Sequence, residues 1–220
     1  MLKQETLKFI SNLKENNHRD WFQANRPAYE SAKVDFAELV VGILLELAKT
    51  DPSLKGISAK ECMFRINKDV RFSKDKSPYK TNFGAGISKA GRKLPVAGYY
   101  LHCEPGQSFV AGGIYMPEPE LLKVIREEIA YDSEELKSIM MKPSFKKYFA
   151  SFDMFDKLVN VPKGYDKSHP DAELLKLKSF IVSHPLKDSD FTNAKAISSI
   201  SGILAEITPL VNHLNRLLGK

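Results

Sequence analysis

The spacing of apolar residues begins helical, turns to strict alternation, and then returns to helical. Leu2, Thr6, Phe9, Ile10 and Leu13 recur at three-and-four spacing, which predicts a first helix ending near Asn16-Asn17. Asp20 with Gln23 three residues on reads as a capping box for a short turn carrying Trp21 and Phe22. Pro27 suits the first turn of the next helix, where a missing N–H costs nothing. That helix sets Tyr29, Phe36, Leu39, Val40, Ile43, Leu44 and Leu47 on one face and stops before Asp51-Pro52.

From 62 to 115 the period becomes two. Phe64 and Ile66 alternate with Arg65 and Asn67; Phe83, Ala85 and Ile87 with Asn82, Gly84, Gly86 and Ser88; Tyr99, Leu101 and Cys103 with Tyr100, His102 and Glu104. Glu104-Pro105-Gly106-Gln107 reads as a tight turn into a strand over Ser108 to Tyr115. These patterns predict an antiparallel meander with one apolar face, Phe64, Ile66, Phe83, Ile87, Tyr99 and Leu101 lying beneath the first or last long helix. A one-residue register error would turn the sheet inside out.

Helical spacing resumes at Pro119 with Leu121, Leu122, Ile125 and Ile129, and Ser133 is placed to cap another helix. Short helices are expected around Ser144 to Ala150 and Pro170 to Leu177, and Phe180 to Ser183 is a candidate late strand, near 179–184, for the same sheet. The last helix, from about Asp190, carries Ile197, Ile200, Ile203, Leu204, Ile207, Leu210, Val211, Leu214 and Leu217; Pro209 should kink or split it. Its apolar stripe is assigned to the core of its own domain, with a dimer interface as the alternative, so the chain is expected to be a monomer or a homodimer. The fold class is α+β: a central antiparallel sheet, about residues 62–115, covered by N-terminal and C-terminal helices, in one domain spanning 1–220.

Composition narrows the setting. A chain of 220 residues supports one sizeable core, and 43% apolar with 27% charged residues excludes disordered and collagen-like classes. Apolar runs such as Leu39 to Val41 fall far short of a membrane span, and the N-terminus lacks the apolar stretch of a signal peptide. The expected location is the cytoplasm, without membrane contact. Cys62 and Cys103 form no Cys-x-x-Cys pair, lie in strand-like segments, and read as buried free thiols.

The formal charge of +6 is unevenly placed. Between Lys60 and Lys93, ten cations face Glu61, Asp69 and Asp75, so this stretch holds +7 and the remainder −1. Positive charge concentrated in one segment suits a local anion site better than a general field for nucleic acid or membrane. Gly86-Ile87-Ser88-Lys89-Ala90-Gly91-Arg92-Lys93 has the two glycines of a phosphate-binding loop, but Arg92 follows the second glycine and Leu94-Pro95 leads toward a strand. It reads as a basic hairpin turn. His102 and Glu104 share a strand face but lack a third ligand, so neither metal nor cofactor is expected.

Arg65 to Asn82 stands apart, with six cations and two carboxylates in eighteen residues. Arginine offers planar recognition of phosphate or carboxylate, and lysine a movable point charge. With Arg65 and Asn67 pointing off the apolar face, Gly84, Gly86, Tyr100 and His102 would form a shallow polar floor. The leading function is binding, or turnover, of a small anionic or phosphorylated ligand. Arg65, Arg71 and Lys80 would hold the anion, with Asn67, Lys76 and Tyr100 beside it and Tyr79 positioning or stacking. His102 is the catalytic candidate for proton transfer, and no nucleophile or reaction is indicated. One alternative is nucleic-acid binding, with Tyr79 or Phe72 stacked on bases. Another is an adaptor in which the cations pair with Asp69, Asp75 and other carboxylates to stabilise a long loop.

The run Arg71-Phe72-Ser73-Lys74-Asp75-Lys76-Ser77-Pro78-Tyr79-Lys80 resembles the signature block of the family called domain of unknown function 2461. The resemblance extends to Asn16-Asn17 with Trp21-Phe22, to Gly98-Tyr99-Tyr100-Leu101-His102 with Glu104-Pro105-Gly106, and to Pro162-Lys163-Gly164-Tyr165. Lys68 stands where many relatives carry arginine, which keeps the charge but loses the bidentate fork. The resemblance implies the extent of the domain and carries no activity, substrate or catalytic assignment.

Overall fold

The computed structural model describes residues 1–71, 74–93 and 96–219. Helix α1 (Gln4–Glu15) turns Phe9, Ile10 and Leu13 inward and packs on α3 (Arg26–Leu47). Its start is held from α3, where buried Asp35 accepts hydrogen bonds from the Lys3 N–H at 2.9 Å and the Thr6 hydroxyl at 2.5 Å. Between them, α2 (Arg19–Ala24) is capped by His18 rather than Asp20: His18 has the extended backbone of a cap, and its Nδ1 accepts from the Trp21 N–H at 3.4 Å. Asp20 already lies inside the helix.

Ser58 and Glu61 form a reciprocal capping box that opens α4 (Ala59–Cys62), so Cys62 is helical and not in a strand. The strands are β1 (Phe83–Ile87), β2 (Gly98–Cys103), β3 (Phe109–Ile114) and, after a helical insertion, β4 (Phe180–Pro185). They pair antiparallel in the order β1-β2-β3-β4. The tight turn before β3 is closed by the Gln107 N–H on the Glu104 carbonyl at 2.9 Å, with Gly106 at φ 74°, where a side chain would be strained.

The insertion holds α5 (Pro119–Tyr131), α6 (Glu134–Met141), α7 (Pro143–Lys146) and α8 (Ala172–Leu175). Ser133 precedes α6 but does not cap it; its hydroxyl donates to Asp171 at 2.5 Å. The C-terminal stripe is divided into α9 (Asp188–Thr192), α10 (Ala196–Ala205) and α11 (Thr208–Leu217), with Pro209 in the first turn of α11.

The inner sheet face carries Phe83, Ala85, Ile87, Tyr99, Leu101, Cys103 and Val110, all buried beneath α3, α10 and α11. Ile200, Leu204, Leu210 and Leu214 of the last helices belong to the same core cluster. One expected core residue is misplaced. Phe64 is 38% exposed while Ile66 is buried, because 63–67 is not a continuous strand. It touches the sheet through a bridge from Met63 to Ala85 and the Phe64 N–H on the Gly84 carbonyl, and from Ile66 onward it pairs with 78–80. The phase set by the end of α4 leaves the Phe64 ring on the other side of the sheet. No described helix is long and apolar enough to cross a membrane.

A glycine-floored trough as the candidate functional site

Among the described residues, helices α3, α10 and α11 cover the inner face, and the outer face is left to small residues and loops. Antiparallel register places Gly84, Gly86, Gly98, Tyr100, His102, Ala111, Gly113, Ile181 and Ser183 there, and the run of small residues leaves it hollow. Walls rise at both edges. Beside β1, the Phe64 ring lies over Gly86, 3.4 Å from where a Cβ would stand, and the basic turn brings Arg92 equally close. Beside β4, Asp153 is pinned by its N–H on the Ile181 carbonyl at 2.9 Å, and the exposed rings of Tyr115 and Phe155 stack 6.0 Å apart. The open cleft between them measures about 760 Å³.

Its charge lies at the ends. Lys80 Nζ stands 5.2 Å from the centre of the Phe64 ring, within reach of a cation–π contact. Burial, and secondarily the charge of Arg65, lowers the Lys80 pKa. Lys80 makes no ion pair among the described residues. At the far end burial raises the Asp153 carboxyl, opposed by the Ser183 hydroxyl, which donates to its Oδ1 at 3.1 Å.

A hydrogen-bonded line runs off one side of the trough. The Tyr100 hydroxyl approaches His102 Nδ1 at 3.0 Å, and the Asn82 amide N–H approaches the same nitrogen at 3.3 Å. Two donors on Nδ1 assign the proton to Nε2, which donates to Glu104 Oε2 at 3.3 Å. Glu104 Oε1 accepts from Lys14 at 3.0 Å and Thr81 at 3.1 Å. Burial lowers the pKa of His102 against the pull of Glu104 and pushes Tyr100 up to about 12. Glu104 ends below the usual carboxylate value, because its three hydrogen-bond donors outweigh burial. Gly84 makes room for this line: a Cβ there would stand 2.8 Å from the Tyr100 oxygen.

The expected site residues separate. Lys80 and Tyr100 line the trough, and His102 sits behind Tyr100. Arg65 and Asn67 are exposed outside it, and Asn67 instead bridges to Tyr79. Arg71 forms an exposed ion pair with Asp69 at 2.7 Å, and Lys76 donates to the Val70 carbonyl at 3.0 Å. Tyr79 is not a ligand platform. Its ring is buried against Phe22 at 3.9 Å, and its backbone N–H and carbonyl are both bound by the Asn17 side chain. Lys68, paired with Asp75, borders a separate cleft of about 190 Å³ that Lys80 also reaches. Phe72 and the Leu94-Pro95 step lie outside the described residues.

Sequence reasoning found the glycines but expected a polar floor, and it missed Phe64, Arg92, Asp153, Phe155 and Ser183 as walls. Asp153 lies within the long insertion after β3 and Ser183 beyond it, so no local spacing ties them to Gly86. Among the described residues no three His, Cys, Asp or Glu side chains gather as metal ligands.

Among curated proteins and among solved structures, none matches the chain. A family model described as conserved hypothetical protein (DUF2461) matches residues 5–213, and the chain belongs to that family.

Proposed function

We propose that the protein binds a small organic anion with an apolar body in the outer-face trough. The observation that carries this reading is Lys80: a half-buried cation, without an ion pair among the described residues, at the wall of a cavity floored by glycine, alanine and an aromatic ring. Desolvating a charge costs free energy that an anionic ligand would offset, and the floor would take the ligand's apolar part. A cavity of about 760 Å³ suits a metabolite-sized molecule. Lys68 and Arg71 pair locally with Asp75 and Asp69, which favours this reading over a phosphate-tracking nucleic-acid surface. The anion site thereby moves from the whole Arg65–Lys80 segment to its last residue and the trough beside it. The reading carries a cytoplasmic location, supported by the buried free thiols Cys62 and Cys103, and a monomer, supported by the covered stripe of α10 and α11. It assigns no reaction.

The test is a fluorescence titration with anilinonaphthalene sulfonate, an anion with a flat apolar body, while circular dichroism monitors the fold. Saturable binding weakened about tenfold by Lys80→Gln, the worth of one charge-assisted contact, is expected. Dye binding that is non-saturable or indifferent to Lys80→Gln would remove the proposal. Displacement by single-stranded DNA with steep salt dependence would replace it with the nucleic-acid reading.

A further inference from the structure

The two ends of the trough differ in charge, and a single row of the sheet joins them. Gly86 pairs with Tyr100, Tyr100 with Ala111, and Ala111 with Ser183, so the row crosses all four strands. At ordinary inter-strand spacing it is about 14 Å long from first to last Cα. The β1 end is cationic through Lys80, which lies over the Phe64 ring; Arg92 sets only its Cα and Cβ against Gly86, while its guanidinium donates to the Lys60 and Glu61 carbonyls at 2.9 Å.

The β4 end is acidic. Asp153 receives the Ser183 hydroxyl on Oδ1, while Oδ2 accepts no hydrogen bond among the described residues. No cation pairs with it among the described residues. Asp153 and Ser183 both line the cavity. Between the ends the described floor offers the Tyr100 and Phe109 rings, Ala111, Ile181 and glycine backbone, which cannot neutralise either charge.

Resting on the trough as an anion site, we infer that its ligands are dipolar. They would carry a carboxylate or other anion for Lys80, an apolar span of roughly the length of the row, and a protonated amine for Asp153. Asp153 is then the residue that sets specificity, since an anion lacking the amine would leave that carboxyl desolvated and unpaired. A hydrophobic anion alone would satisfy half of the site.

Undecanoate and ω-aminoundecanoate have chains of matching span and differ only in the terminal amine. Each is titrated calorimetrically against the parent protein, Asp153→Asn, which can keep the Ser183 contact, and Lys80→Gln. The parent is expected to prefer the aminated acid by about tenfold. Asp153→Asn should bring that ratio close to one, and Lys80→Gln should weaken both acids while preserving it. Equal affinities in the parent, or a preference that survives Asp153→Asn, would overturn the dipolar inference and leave the anion site standing. If neither acid saturates the protein the inference falls, and if the naphthalene dye also fails the reading beneath it falls too.

Discussion

Tyr99 and Tyr100 are neighbours in sequence that face opposite sides of the sheet, and removing one oxygen from each should have unequal consequences. The Tyr99 ring points into the core, where its hydroxyl lies 3.0 Å from Asp51 Oδ2 and 3.0 Å from Thr208 Oγ1. It donates to the carboxylate and accepts from the threonine, tying β2 to the turn after α3 and to the start of α11. In Tyr99→Phe, Asp51 keeps the Ser53 N–H at 3.1 Å and the Ser53 hydroxyl at 2.6 Å, both on Oδ1, but its buried Oδ2 loses this donor. A buried hydrogen bond to a charged group contributes about 1.5–3 kcal/mol and the threonine bond about 1 kcal/mol, so a loss of about 2–4 kcal/mol is expected. For a chain of this size that lowers the melting temperature by roughly 5–15 °C. Tyr100→Phe removes a bond to a neutral, half-buried histidine and should cost less than about 1 kcal/mol. Thermal melting by circular dichroism, with urea unfolding to confirm an unchanged slope, measures both. A Tyr99→Phe variant that melts no earlier than Tyr100→Phe would refute the reasoning.

Three further outcomes are expected. His102 has a folded pKa below 6.5, so on acidification the unfolded chain takes up that proton first; stability present above 6.5 is lost as pH falls through the folded value. His102→Gln should therefore flatten the melting-temperature profile between about pH 7.5 and about pH 5, above the range where Glu104 titrates, and an unchanged slope would count against it. Lys80→Gln should shift the melting temperature by no more than a few degrees, because relief of a desolvated charge without an ion pair among the described residues offsets the lost contact with the Phe64 ring; a drop of more than about 5 °C would reveal a further partner. Gly113 has φ 120°, and a Cβ there would stand 2.0 Å from the Phe180 carbonyl oxygen, so Gly113→Ala should cost about 3 kcal/mol or more by prying β4 from β3. An unfolding free energy in urea within about 1 kcal/mol of the parent would show that the strands adjust.

Legibility in the sequence followed the range of the interaction. Phe83 to Ile87 and Gly98 to Cys103 were readable because alternation is local and the burial of one face enforces it. Pro209 was readable because a ring without an N–H breaks a helix wherever it falls. The capping box of Ser58 and Glu61 was also present as a spacing, and with it the helical state of Cys62 and the altered phase of Phe64 were open to inference. Tyr79 was misjudged for a different reason. Its burial depends on Phe22 and on Asn17, which lies 62 positions earlier, and an aromatic in a cationic run gives no sign of a partner that distant.

Hydrophobic periodicity, proline placement and the concentration of cations between Lys60 and Lys93 were enough to establish an α+β chain with an antiparallel sheet and a locally basic stretch. These are one-dimensional properties, because secondary structure and charge density depend on near neighbours. Which cations keep their charge uncompensated depended on the fold: it set Asp69 against Arg71 and Asp75 against Lys68, and gave Lys80 the Phe64 ring. The trough too arose only when β4, some seventy residues after β3, returned to pair with it and brought Ser183 and Asp153 into line with Gly86. Strand pairing across so long an insertion is selected by the burial of the whole inner face, which no window of the sequence contains.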